Sequence, residues 1–160
     1  MTVQTGEKMP SGSFSIMTDS GPGELSTDEL FSGKKVVLIS VPGAFTPTCS
    51  INHLPGFVDQ ADALAAKGVD TIACMAVNDV FVMHAWGKDR DVGDKVIMLA
   101  DGNGDYARAL ELELDASGFG MGMRGQRFAL IVDDGVATHV AIEAAGQFEV
   151  SKAEAILENL

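Results

Sequence analysis

Basic residues are scarce in this chain. Eleven lysines and arginines stand against 23 aspartates and glutamates over 160 residues, a formal charge of −12 at pH 7. A surface of that sign repels a phosphate backbone and an anionic lipid headgroup alike, so neither nucleic acid nor a membrane is expected as a partner. Long apolar runs are missing too. The strongest, Val36 to Val41, is interrupted by Ser40 and falls far short of the roughly 20 residues of a spanning helix. The N-terminus has no basic patch followed by an apolar stretch and no small-residue cleavage site, which sets the expectation of a cytoplasmic, reducing compartment. Cysteine is limited to Cys49 and Cys74. With no Cys-x-x-Cys pair a thioredoxin-type disulfide reductase is disfavoured, and in a reducing compartment two cysteines are buried fillers or reactive thiols before they are a structural disulfide.

The hydrophobic share, 46% of the residues, with 21% charged, is that of a globular chain with a real core, and the length fits one domain over residues 1–160. Phe14 to Met17 reads as a short strand, followed by a turn at Gly21-Pro22-Gly23 and a capping box at Ser26-Thr-Asp-Glu29, giving a hairpin-like N-terminal extension. The β-branched run Lys35 to Val41 is a central strand covered on both faces. A helical pattern then runs from about Cys49 to Leu64, kinked by Pro55 and closed by Lys67 and Gly68. Strand Asp70–Val77, a helix from Val80 to Trp86 behind the candidate caps Asn78 and Asp79, strand Val96–Ala100 and a short helix at Tyr106–Leu110 continue the alternation. Strand Arg127–Val132, the turn Asp133-Asp134-Gly135 and a paired strand from Val136 follow. A second capping box, Ser151-Lys-Ala-Glu154, opens the last helix. The order predicts an α/β fold, a central mixed sheet flanked by helices.

The segment Pro42-Gly43-Ala44-Phe45-Thr46-Pro47-Thr48-Cys49 is the most informative stretch, because it sets a thiol in the first turn of a helix just after a central strand. Unpaired amides there favour an anion, Thr46 and Thr48 offer hydroxyls, and Pro42 and Pro47 fix the backbone on either side. Magnitudes show that this is insufficient alone. Mostly ionising an ordinary thiol at neutral pH takes a drop of about two pKa units, roughly 2.7 kcal/mol, whereas a helix terminus supplies about 0.3 to 1 kcal/mol. A nearby cation is therefore expected, and Arg127, opening a later strand before an apolar run, is favoured over the loop residue Arg124. From the residues alone Cys49 is either such a reactive thiol or a small buried hydrophobe. Cys74, inside the apolar run Thr71 to Val77, reads more simply as core.

The motif Pro42-Gly-Ala-Phe-Thr46-Pro-Thr-Cys49 resembles the PxxxTxxC active-site motif of peroxiredoxins, and VPGAFTPTCSINHLPGF resembles the atypical type II, or peroxiredoxin-five, subfamily. The stretches VNDVFVMHAW (77–86), LADGNGDYARALELELD (99–115) and RFALIVDDG (127–135) are similar to their counterparts there. The resemblance implies a thioredoxin-like fold and a thiol peroxidase for hydrogen peroxide and alkyl hydroperoxides, without metal or organic cofactor. It makes Cys49 the peroxidatic cysteine, with Pro42, Thr46 and Arg127 completing the site. Amides from Gly43, Ala44, Phe45 and Thr48 are then candidates to meet the departing oxygen. It also implies that Cys74, which matches the second cysteine of plant-type members, is a candidate resolving thiol. Glutaredoxin with glutathione, or thioredoxin, is the implied reductant, and a homodimer the implied assembly. A redox-sensing or holdase-like protein switched by Cys49 oxidation is the alternative.

Other signals carry less. Gly120-Met-Gly-Met-Arg-Gly125 satisfies GxGxxG but precedes a strand where a dinucleotide site needs it to follow one. Asp101 to Asp105 starts like a calcium loop, yet Tyr106 and Leu112 occupy positions where glycine and glutamate belong. It reads as a turn and helix cap. Cys49 and His53 lie four apart on a helix face, without further ligands for a tetrahedral zinc site, and His53 is expected at solvent or the pocket rim. Phe45 and Phe119 are either core or an exposed apolar patch.

Overall fold

The structure is a computed structural model and describes residues 2–160. Seven strands form one sheet in the order β2-β1-β5-β4-β3-β8-β9. At its centre β3 (Lys35–Ser40), β4 (Thr71–Ala76) and β5 (Ile97–Ala100) run parallel. β8 (Phe128–Asp133) and β9 (Val136–Ile142) add antiparallel strands on one side, and the hairpin β1 (Ser13–Thr18) and β2 (Gly21–Ser26) on the other. This is the expected α/β arrangement with a mixed central sheet and an N-terminal hairpin. Among the described residues no helix is long and apolar enough to cross a membrane.

Alternation along the central strands sends side chains to two separate cores. Val37 and Ile39 of β3 join Cys74 of β4 and Cys49, Leu54, Phe57 and Trp86 on one face, while Val36, Leu38, Ala73, Met75, Leu99, Tyr106 and Phe128 fill the other. Both cysteines therefore lie on the same side of the sheet. Helices α2 (Leu54–Asp59), α3 (Ala61–Ala66), α4 (Val80–Asp89) and α6 (Ala153–Leu157) contribute to the first core; α1 (Thr27–Phe31) and α5 (Asp105–Ala109) contribute to the second.

Several local readings need correction. Gly21-Pro22-Gly23 is not a turn but the start of β2, and the hairpin turns at Asp19-Ser20 instead. β2 is an edge strand, where proline's missing donor is tolerated. The helix expected from Cys49 to Leu64 is three pieces: a π-helical turn over Cys49–His53, then α2, then α3 beyond a break at Gln60. The Ser151–Glu154 box does not form; α6 has Lys152 as its N-cap, because the Ser151 hydroxyl donates to Glu143. Two strands escaped the sequence reading, β6 (Glu113–Asp115) and β7 (Met123–Gly125), which pair as a separate ribbon. The first capping box, with Ser26 and Glu29, forms as expected, and Asp101 caps α5 through the amides of Tyr106 and Ala107.

Candidate active site

Helical backbone begins at Pro47, so Cys49 sits in the first turn. Proline is suited to that opening position because its absent N–H would be unpaired there in any case. The turn then widens: Leu54 N–H donates to the Cys49 carbonyl, five residues back. In that register the Ser50 carbonyl would look to Pro55, which has no N–H to give. Arg90 fills the vacancy, donating from Nη1 to Ser50 O at 3.0 Å. Trp86 donates from Nε1 to Ser50 Oγ at 2.8 Å, so α4 and its C-cap residue Arg90 hold the π-turn at the Ser50 hydroxyl and carbonyl.

The cation that the thiol requires is present. Arg127, immediately before β8, donates from Nη2 to Cys49 Sγ at 3.0 Å and from Nη1 to His53 Nδ1 at 2.9 Å. His53 is not at the rim but fully buried. Its Nε2 lies 3.1 Å from the Ser151 carbonyl. A ring nitrogen facing a guanidinium must accept and one facing a carbonyl must donate, so the imidazole is neutral with its proton on Nε2. Burial, reinforced by the Arg127 charge, drives its pKa down to about 3. The Arg127 guanidinium also lies 5.8 Å from the Phe148 ring centroid, and Phe148 meets His53 edge-on at 5.1 Å.

The loop before the cysteine is held by its own contacts. Thr46 Oγ1 donates to the Gly43 carbonyl at 2.8 Å, which leaves its lone pairs open to a donor. The Ala44 amide, expected to be free, donates to Asn78 Oδ1 at 2.9 Å. Asn78 therefore ties down the loop, and Asp79 alone caps α4. Phe45 has φ +64°, a left-handed conformation uncommon outside glycine. A Cβ on Gly43 would lie only 3.2 Å from Arg124 Nη1 and the Met121 methyl. Arg124, bonded to the carbonyls of Met121 and Val77, thus braces the loop without a hydrogen bond to the sulfur. Pro42, Thr46 and Thr48 are half-buried and Phe45 is exposed.

Cys74 is in the middle of β4, opposite Ile39 and Met98 in the ladder and fully buried. Burial, and then the proximity of Cys49, push its thiol pKa upward against the weaker pull of Arg127. Both cysteines are free. Three contributors to the site went unread in the sequence: His53 as Arg127's partner, Arg90 as the partner of an orphaned carbonyl, and the Glu143–Ser151 pair behind His53. The spacing of His53 from Cys49 carried a signal, since the two share a helix; the others arise from contacts over long sequence distances.

Known proteins are similar to this chain over nearly its whole length. Residues 4–157 match the Redoxin family model. The chain is 46% identical to peroxiredoxin-2B of Arabidopsis thaliana, covering 99% of this chain and 98% of that protein. Reduced Prx3 of Vibrio vulnificus in complex with H2O2 superposes with a TM-score of 0.95 at 50% identity, with 99% of each chain covered. Peroxiredoxin 5 of Alvinella pompejana gives 0.86 at 36% identity, covering 98% of this chain and 96% of its own. The thioredoxin-like fold, the thiol in a helix's first turn and these likenesses together establish that the chain belongs to the redoxin family, as a peroxiredoxin of the atypical type and hence a thiol peroxidase.

Proposed function

We propose that Cys49 is the peroxidatic cysteine, acting on hydrogen peroxide and small alkyl hydroperoxides. The observation that carries the reading is the Arg127 Nη2 donor 3.0 Å from Cys49 Sγ. A cation hydrogen-bonded to sulfur favours the thiolate, the form that attacks. The thiolate takes the terminal peroxide oxygen: an S–O bond forms, the O–O bond breaks, and the leaving alkoxide or hydroxide is protonated to alcohol or water. Cys49 is left as a sulfenic acid. Arg127 and unengaged amides of the Pro42–Cys49 segment stabilise the charge growing on the departing oxygen, while Thr46 Oγ1, whose own proton goes to the Gly43 carbonyl, can accept from the peroxide O–H and orient it. The Vibrio vulnificus relative, described as a complex with H2O2, supports the choice of substrate.

The cycle closes with thiols. An external thiol condenses with the sulfenic acid, releasing water and forming a mixed disulfide, and a second thiol exchanges to restore Cys49. Glutathione with glutaredoxin is the preferred donor and thioredoxin the second. The burial of Cys74 in β4 and its raised pKa weigh against it as the first thiol to respond, since an internal disulfide would require the π-turn to unwind. Exposed Phe45, Ile51 and Phe119 are consistent with a homodimer built through the active-site loops. A cytoplasmic or other reducing compartment suits this chemistry.

The test is a matrix of wild type, Cys49→Ser and Cys74→Ser against each reductant, read as steady-state peroxide consumption. Cys49→Ser falls to background; Cys74→Ser keeps its rate with glutaredoxin and glutathione. Activity surviving in Cys49→Ser would overturn the assignment, and its loss in Cys74→Ser would move resolution to the internal disulfide. Stalling after about one equivalent of peroxide with every reductant would favour the redox-sensing alternative.

A further inference from the structure

The C-terminal side of the site is organised by a group that the reaction scheme does not use. Glu143 follows β9, and its N–H donates to the Arg127 carbonyl at 3.0 Å, extending the β8–β9 ladder by one rung. Its side chain is turned inward. Oε2 accepts from the amides of Glu149 and Ser151, each at 2.8 Å, and from Ser151 Oγ at 2.6 Å. Burial pushes the carboxyl pKa up, but the bonds from Ser151, Glu149 and Val150 outweigh it and hold the value below the ordinary range. The loop from Ala144 to Ser151 is thus folded around one carboxylate. Two of its groups reach the site: the Ser151 carbonyl facing His53 Nε2, and the Phe148 ring beside both His53 and the Arg127 guanidinium.

We propose that Glu143 is a positioning residue for Arg127, acting through Ser151, His53 and Phe148 to hold the guanidinium on the Cys49 sulfur. The contacts close a circuit that starts at the Arg127 backbone, passes through Glu143, Ser151 and His53, and returns to the Arg127 side chain. An arginine side chain left alone samples many rotamers; inside this circuit it has one. Distance matters as much as aim. The Glu143 charge is spent on the Ser151 and Glu149 donors, whereas the group touching Arg127 is a neutral imidazole. The guanidinium is oriented without a directly paired carboxylate, which keeps its field for sulfur and the leaving oxygen. The role rests on Cys49 being the reacting thiol.

The experiment compares reduced wild type with Glu143→Ala, Glu143→Gln and Ser151→Ala. The first readout is the rate of Cys49 alkylation by iodoacetamide against pH, followed on the Cys49 peptide by mass spectrometry. The second is single-turnover H2O2 consumption. Glu143→Ala shifts the alkylation profile to higher pH and slows both reactions about tenfold on the rising limb of that profile, the equivalent of one unit, with the deficit closing as pH rises. Glu143→Gln keeps an acceptor oxygen and stays within about twofold of wild type. If Glu143→Ala does not fold, Ser151→Ala decides: it loses only the hydroxyl bond, and a smaller shift in the same direction is expected. Wild-type profiles in every folded variant overturn the proposal. So does a shift to lower pH in Glu143→Gln, which would make the carboxylate an electrostatic brake. Alkylation requires no peroxide, so a failure of the peroxidase reading would show separately, as peroxide consumption persisting in Cys49→Ser.

Discussion

Cys49 and Cys74 are equally hidden, each with 0% of its surface exposed, on the same side of the same sheet and in the same core. Only their polar surroundings differ. Cys74 is held between Ile39 and Met98 in a regular ladder, and burial there raises its thiol pKa. Cys49 lies in a widened helical turn whose sulfur accepts directly from a guanidinium. Desolvation penalises a thiolate at both positions, but only at Cys49 is there an oriented donor to offset it. The contrast between the two thiols therefore lies in the donor, not in exposure, and a screen for solvent-accessible thiols would overlook both.

Removing the donor should make the first cysteine resemble the second. Arg127→Leu is expected to slow single-turnover reduction of H2O2 by roughly 10²- to 10³-fold, the scale on which losing one preorganised charge-stabilising donor is felt. Arg127→Lys should recover only part, because one ammonium cannot reproduce the forked contact to both Cys49 Sγ and His53 Nδ1. Stopped-flow fluorescence is a suitable readout, since the chain's one tryptophan, Trp86, bonds to Ser50 next to Cys49. A rate within a few-fold of wild type in folded Arg127→Leu would erase the distinction between the two thiols.

The stability of serine variants sharpens the contrast on a smaller scale. At position 74 the hydroxyl enters an apolar ladder, and leaving it unsatisfied costs about 1–3 kcal/mol. At position 49 the same hydroxyl can accept from Arg127, which should limit the loss to about 1 kcal/mol or less. Urea unfolding with unchanged m-values should therefore rank Cys49→Ser above Cys74→Ser, the reverse of their ranking in activity. Equal losses would show that the two sites are alike in what they can satisfy.

What the sequence exposed of this contrast was its local half. The β-branched run of β3, the Pro42–Cys49 segment and an arginine just before a later strand are signals carried by neighbouring residues, and they placed the thiol, its helix and its cation. The missing half was long-range. Nothing near Arg90 says that a carbonyl orphaned by Pro55 lies beside it. The Ser151–Glu154 pattern is a valid capping signature that lost to a buried carboxylate eight residues upstream. β6 and β7, three residues each, are too short for periodicity to register. His53 was misplaced at the rim for a related reason: histidine is commonly half-exposed, and only Arg127 and Ser151, at sequence distances of 74 and 98, supply the partners that make its burial tolerable.

His53 provides the finest test of the comparison, because its neutrality leaves Arg127 undivided between the sulfur and a counter-ion. With a folded pKa of about 3 against an ordinary 6.5, the unfolded chain takes up a proton at this ring that the folded chain refuses. Stability therefore falls as pH drops from about 6.5 towards 3, by at most about 1.4 kcal/mol per pH unit, and is unaffected by this group at higher pH. His53→Gln keeps an oxygen to accept from Arg127 and an N–H to donate towards Ser151, but has nothing to titrate. The other ionisable groups are common to both chains and largely cancel, so urea midpoints measured from about pH 7 to pH 5 should converge, with wild type losing stability faster. Parallel curves would mean that the folded imidazole takes up its proton between pH 7 and pH 5 as readily as the unfolded one. That would place two cations side by side at Cys49, and the hydrogen bond from Arg127 to Nδ1 could not exist.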